Sequence, residues 1–289
     1  MPGGERISNS PAAPAGSSGL DAIAVAKRCV KEGGRIALDM FRKPQDIAVK
    51  GRGNIVTEAD LAVEAHIARL LAREFPDHAL FSEESHPAGT DVAEGWTWVL
   101  DPLDGTRNYA SGIPFFCINL ALCYIGEPVL AVTYDPVHGD LFHALKGHGA
   151  RLNGEPIHVS EKAALQASVL GIDMGYDDVR AGYMLELVRA LWPGMQSVRI
   201  PGSAALGVAY AACGRYDLFV HNNVFPWDIA AGILLVREAG GIITDRDGGP
   251  VSIFSEGIIA GGGHVHSDFL RLTAGRPWRQ SGEEGDEHE

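Results

Sequence analysis

At 289 residues, 46% of them hydrophobic, with a formal charge of −13, the chain can bury a sizeable core and is too acidic to offer nucleic acid or an anionic membrane a positive surface. A phosphate ligand would have to be held by local devices, cations or backbone amides. No apolar stretch approaches the ~20 residues that span a bilayer, and Cys29, Cys117, Cys123 and Cys213 form no C-x-x-C pair, which reads as buried free thiols in a reducing, cytoplasmic setting.

Residues 1–19, rich in Pro, Gly, Ser and Ala and without a signal-peptide core, read as a flexible tail. From Leu20 to Arg42, Ile23, Ala26, Val30, Ile36, Ala37 and Met40 recur at helical spacing, and Pro44 lies just past the end. "NIVTEADLAVEAHIARLLAREFPDH" predicts a short extended lead, then a helix with Ala62, Ala65, Ile67, Leu70 and Leu71 inward and a stop at Pro76. "HALFSEES" predicts a strand ending in Glu83 and Glu84, and "WTWVLDPLDGT" repeats the pattern with Asp101 and Asp104. "FCINLALCYIGEPVLAVTYDP" predicts two strands joined at Gly126-Glu127-Pro128, followed by short glycine-punctuated strands. After about residue 160 strands alternate with helices, among them "AALGVAYAACG" and "PWDIAAGILLVREAGG". The expected organisation is an α+β domain over 20–160, an α/β domain over 161–275 and an acidic tail over 276–289.

Two carboxylates separated by Pro102-Leu103 are either exposed turn residues or partners in a metal site, because unpaired buried charge is too costly. Gly105-Thr106 adds a point of close backbone approach and a helix start suited to phosphate. Asp228, in the first turn after Pro226, reads equally as a helix cap or a metal-facing oxygen. Thr57 and Asp60 likewise read as a cap or as functional groups. Adjacent strand residues point to opposite faces, so one of Glu83 and Glu84 is expected at the site directly. Together these oxygens suit a hard cation, magnesium first; His264 and His266 read as a turn feature rather than zinc ligands.

The combination resembles the inositol monophosphatase family. "DPLDGTRNY" is similar to its first signature and "WDIAAGILLVREAGG" to its second, with "NIVTEAD", "SEES" and "RLNGEPIHVS" in the family's order over about residues 20 to 275. The resemblance implies a layered αβαβα sandwich of the inositol monophosphatase / fructose-1,6-bisphosphatase type, usually a homodimer, acting as a magnesium-dependent, lithium-sensitive phosphomonoesterase through metal-activated water. It implies that Glu83, Asp101 and the Leu103 carbonyl bind one metal, that Asp101, Asp104 and Asp228 bind a second, and that Glu83 joins a weaker third. Thr106 and Asp60 would orient and deprotonate the water, supported by Glu84 and Thr57. The amides of Gly105 and Thr106 would cradle phosphate, and Lys50 would lie near the loop covering the site.

Two cations stabilise both oxygens of an in-line displacement, so no covalent nucleophile is needed, and they reconcile an acidic protein with an acidic substrate. For the alcohol side, His221 stands where inositol-specific members carry a glutamate, and Ser203 and Asp217 are further candidates, each with a structural alternative as helix cap or turn carboxylate. Inositol 1-phosphate is the first expectation. Fructose 1,6-bisphosphate, histidinol phosphate, nucleotide bisphosphates and NADP remain alternatives, as does a regulatory binding role.

Overall fold

The computed structural model describes residues 11–51, 54–85 and 95–279. Helix α1 (Ala22–Met40) leads through a short antiparallel hairpin, β1 (Ile47–Gly51) and β2 (Asn54–Thr57), into helix α2 (Glu58–Glu74). Next come β3 (Ala79–Ser82), β4 (Trp96–Asp104), the short helix α3 (Thr106–Ala110), then β5 (Cys117–Tyr124), β6 (Glu127–Asp135), β7 (Asp140–Leu145), β8 (Ala150–Leu152) and β9 (Glu155–Pro156). These seven strands form one sheet in sequence order, parallel only between β3 and β4. The second half runs β10 (Val169–Ile172), α4 (Asp178–Leu191), β11 (Ser197–Arg199), α5 (Ala204–Ala212), β12 (Leu218–His221), α6 (Pro226–Glu238), β13 (Ile242–Asp245), β14 (Ile258–Gly261) and α7 (Gly263–Leu272). Its sheet has the order β11-β10-β12-β14-β13; β10 is parallel to both neighbours and β14 antiparallel to both of its own. The α/β expectation therefore describes β11-β10-β12, while β13 and β14 add an antiparallel edge.

Strand alternation decides the layering. Trp98 and Leu100 of β4 face α1 and α2, joined by Ile118, Leu120 and Val132. Val99, on the opposite face, meets a middle layer of α5 and α6. The far side of that layer packs on Phe219, Ile243 and Ala260 of the second sheet. Leu170, Leu218, Val220 and Ile259 then face α4 and α7 on the outside. The result is the αβαβα sandwich.

Helices caught between two sheets have no solvent side, and both are apolar nearly all round. Close approach demands small residues there. A Cβ on Gly207 would lie 2.2 Å from the Phe219 ring, and one on Gly232 2.5 Å from Val208. Gly207→Ala is expected to destabilise the protein by about 1–3 kcal/mol through overpacking, read as a lower urea midpoint at unchanged slope. An unchanged midpoint would show that Phe219 yields freely.

Several expectations need correction. The inward stripe of α2 is Ala59, Val63, Ile67 and Leu71, spaced by four, while Ala65 is exposed. The stretch expected as a flexible tail is tied down from Pro14 onward: the Ala22 amide donates to the Pro14 carbonyl, and the Ser17 and Ser18 amides reach the Glu74 backbone and carboxylate. Residues 1–10 lie outside the described residues. At the other end Trp278, assigned to the acidic tail, is buried against Phe269, so the folded region extends past 275; residues 280–289 are outside the described ones. His264 and His266 lie not in a turn but in the first turn of α7, where His266 is buried against the Thr244 hydroxyl and His264 is exposed. All four cysteines are free, three of them buried.

Candidate metal centre and active site

The "WVLDPLDGT" segment is neither a plain turn nor a plain strand end. Strand β4 continues through Asp101 to Asp104, and its register against β5 slips between them: Asp101 pairs with Asn119 and Asp104 with Cys117. Three steps on one strand against two on the other make a β-bulge. Residues three apart in an unbroken strand face opposite sides; the extra residue returns Asp104 to the side of Asp101. Pro102, with no amide to donate, suits the irregular position. The Leu103 amide donates to Asp101 Oδ1 at 3.0 Å, fixing that carboxylate.

Asp228 arrives from the middle layer. Oxygens of Asp101, Asp104 and Asp228 lie within 4.8 Å of one another, the span across a hard divalent cation. Asp228 occupies the third position of α6 and uses Oδ2 to accept from the Phe225 amide at 2.8 Å. Asp60 does the same in α2, its Oδ2 accepting from the Thr57 amide at 2.9 Å and from the Thr57 hydroxyl. Capping and function are thus compatible, because a carboxylate has a second oxygen. That of Asp60 accepts from the Thr106 hydroxyl at 3.0 Å, and Thr106 also lies 3.0 Å from the Leu103 carbonyl.

Asn119, which the sequence reading passed over, joins these parts. Its Nδ2 donates to the carbonyls of Trp227, at 2.7 Å, and Asp228, at 3.2 Å, while its Oδ1 accepts from Thr133. The residue opposite Asp101 in the sheet therefore holds the start of the helix that carries Asp228.

Strand β3 ends at Ser82, before the glutamates, so strand alternation does not separate them. Both reach Lys50, whose Nζ lies 3.1 Å from Glu83 and 2.6 Å from Glu84. Glu64 of α2 braces this turn through Ser82, Ser85 and the Glu84 amide.

The electrostatics are those of concentrated negative charge with too few cations. Burial, then the charges of Glu83, Asp104 and Asp228, push Asp101 well above the usual carboxylate range. Burial and Asp104 do the same to Asp228. Burial lifts Glu83 to about 7 despite Lys50, and Asp104 to about 6 despite donors from Ser203 and the Ala204 and Ala205 amides. Among the described residues no lysine or arginine pairs with Asp101, Asp104 or Asp228. Oxygen donors that are buried, as in Asp101 and Asp104, or half-buried, as in Asp228 and Glu83, with no thiolate or imidazole in the aspartate cluster, fit a hard divalent cation.

Beside the cluster opens a cavity of about 310 Å³, lined by Asp104, Gly105, Thr106 and Asp228 together with Asp173, Tyr176, His221 and Asn223. Gly105, at φ 95°, could not be replaced without contact: a Cβ would lie 3.0 Å from the Phe115 carbonyl. His221 is on the cavity wall. Ser203 caps α5 and bonds Asp104, so it acts on the site through that carboxylate. Asp217 is not brought to the cavity; its carboxylate is taken up by Ser160, Lys162 and the Val169 amide, where it pins the start of β10. Asp173, Tyr176 and Asn223 were missed, although an aspartate closing the apolar run of "VLGID" carried the same signal that marked Asp101.

The profile of the inositol monophosphatase family matches residues 20–275. An inositol-1-monophosphatase of Synechocystis is 37% identical over 268 residues, covering 89% of this chain and 91% of that protein. The Nus factor SuhB of Salmonella typhimurium is 36% identical over 252 residues, covering 86% and 94%. The solved structure of a Thermotoga maritima IMPase superposes with a TM-score of 0.79 at 32% identity, covering 86% of this chain and 95% of that one.

Proposed function

The chain belongs to the inositol monophosphatase family, and we propose that within it this protein hydrolyses the phosphomonoester of a small polyol, inositol 1-phosphate foremost, with magnesium. It is a phosphatase, a phosphoric monoester hydrolase, of a metal-dependent family. The observation that carries the reading is the convergence of Asp101, Asp104 and Asp228 beside the cavity that Asp104 and Asp228 line. On this reading Asp101, Asp104 and Asp228 would hold one cation and Glu83, Asp101 and the Leu103 carbonyl another, with Glu83 contributing to a weaker third. Bound cations would neutralise the phosphate and lower the pKa of water toward neutrality.

The remaining work falls to the chain. Asp60, its pKa raised by burial, would accept the proton that the attacking water gives up through Thr106, whose hydroxyl is within reach of both Asp60 and the Leu103 carbonyl. Thr57 holds Asp60 in place, and Glu84 holds Lys50 beside Glu83. The Gly105 and Thr106 amides orient the phosphate. Ser203 steadies Asp104, and His221 meets the alcohol.

The test is phosphate release from inositol 1-phosphate with and without magnesium, against a panel of histidinol phosphate, fructose 1,6-bisphosphate, adenosine 3′,5′-bisphosphate and NADP compared by kcat/KM. Magnesium is expected to be required, and inositol 1-phosphate to rank first. If it ranks last, the substrate assignment fails and the chemistry stands. Release that is independent of metal sinks both. We further place the protein in the cytoplasm as a homodimer, to be checked by sedimentation. A regulatory reading draws on the Salmonella relative's name, but the −13 charge opposes a nucleic-acid partner.

A further inference from the structure

Two residues at the carboxyl ends of neighbouring strands line the cavity outside the carboxylate cluster. Strands β10 and β12 are parallel with Ile172 opposite Val220. Asp173 follows Ile172 just past the end of β10 as His221, the last residue of β12, follows Val220, so the two leave the sheet at the same end. Both line the cavity with Asp104 and Asp228. Carboxyl ends of parallel strands are where open α/β sheets receive ligands.

Each side chain is fixed in a way that decides its hydrogen-bonding sense. The Asn223 amide donates to His221 Nδ1 at 3.1 Å, so that nitrogen is the acceptor and the neutral ring carries its proton on Nε2. Burial opposes charging of the ring. Asp173 Oδ1 accepts from the Met174 amide at 2.8 Å, while Oδ2 is shielded from water and has no donor among the described residues. The loops bearing the two residues are braced together. Gly175 has φ 62°, and a Cβ on it would lie 2.9 Å from Asn223 Cβ; Asn222 Nδ2 donates to the Arg180 carbonyl at 3.0 Å. A donor and an unsatisfied acceptor thus stand side by side without bonding each other.

We propose that Asp173 is a specificity-determining residue that, with His221, selects a hydroxyl on the alcohol part of the substrate, the hydroxyl accepting from His221 Nε2–H and donating to the Asp173 carboxylate, whose side chain turns its unmet oxygen to the ligand. This rests on the phosphatase reading above. A hydroxyl serves both partners at once. A second phosphate offers acceptors alone and is repelled by Asp173; an ammonium offers donors alone and meets a donor at His221. A substrate with no hydroxyl leaves a buried carboxylate unmet.

The test compares wild type, Asp173→Ala and the isosteric Asp173→Asn on inositol 1-phosphate and on phenyl phosphate, which has no hydroxyl. The ratio of the two kcat/KM values is expected to fall about ten- to a hundredfold in Asp173→Ala, the loss typical of a hydrogen bond to a charged group. Asp173→Asn should raise fructose 1,6-bisphosphate relative to inositol 1-phosphate. Nitrogen-15 spectra of histidine-labelled protein, with His221 assigned through His221→Gln, should show the Nε2–H tautomer. An unchanged ratio, an equal loss on both substrates or an Nδ1–H tautomer would overturn the proposal. Should wild type release no phosphate from any ester, the phosphatase reading fails and the pair is judged by binding: a His221 shift on adding myo-inositol that Asp173→Ala abolishes supports it, and no shift rejects it.

Discussion

Asp101→Asn is expected to lower kcat on the best phosphomonoester by about a thousandfold or more while making the metal-free protein more resistant to heat. The opposed signs come from one cause. Asp101 lies within reach of Asp104 and Asp228 and is driven toward protonation first by burial, then by Glu83, Asp104 and Asp228. Asparagine keeps the shape and the oxygen that accepts from Leu103, but removes one negative charge from the cluster. Cation binding loses a carboxylate shared between both proposed sites, and several kcal/mol of transition-state charge stabilisation correspond to three or more decades in rate. Without metal the same change relieves repulsion, so the melting temperature in EDTA should rise. A structural defect would lower both quantities together. Full activity in the variant would remove Asp101 from the site.

How much of this was legible in the sequence depends on whether one residue's surroundings are local. Asp101 closes the apolar run of its strand, Asp104 ends that strand and Asp228 lies in the first turn of a helix, all patterns plain in the chain, so their positions could be read. Their common face could not, because it depends on the register slip between Asp101 and Asp104 against β5, which alternation alone would have denied. Asp60 and Asp228 posed a choice between cap and function that disappears once the two oxygens of each carboxylate are followed separately. Strand alternation would separate Glu83 from Glu84, yet the strand stops at Ser82, before both, and both meet Lys50.

The failures are long-range. Asp217 sits in a plausible place along the chain, but Ser160 and Lys162, more than fifty residues away, claim its carboxylate. Asn119 has nothing in its apolar strand to mark it, since its worth lies in bonds to Trp227 and Asp228 across the layers. The polar neighbours of Trp278 read as a tail, yet one indole against Phe269 is enough to anchor that segment. Local pattern predicted the elements and the aspartates that cap or end them, while cross-layer partners decided which carboxylates remain free for chemistry.

Removing the divalent cation is expected to cost thermal stability, and to cost more at pH 8 than at pH 5.5. In the metal-free protein Asp104 is lifted to about 6 and Glu83 to about 7, with Asp101 and Asp228 well above the ordinary range. Unfolding returns all four to about 4. Between these limits the folded chain binds more protons than the unfolded one, so stability falls as pH rises; the contribution is fully present below about pH 4 and, for Asp104 and Glu83, is lost through 6 to 7. A cation bound to the folded state alone reverses the trend, because it needs the carboxylates deprotonated. At a hundred times its dissociation constant it contributes about 2.7 kcal/mol, or roughly 5–10 °C for a domain of this size. His143, lowered to about 4 chiefly by burial, has the opposite dependence: its contribution is present above the ordinary histidine range and lost as pH falls toward 4. It acts alike with and without metal, and so cancels in the difference. The measurement is therefore the gap in melting temperature between magnesium and EDTA, taken at both pH values in wild type and Asp101→Asn. A gap that is wide at pH 8, narrow at pH 5.5 and nearly absent in the variant supports a carboxylate-held cation. A gap of equal size at both pH values would mean that the cation binds elsewhere.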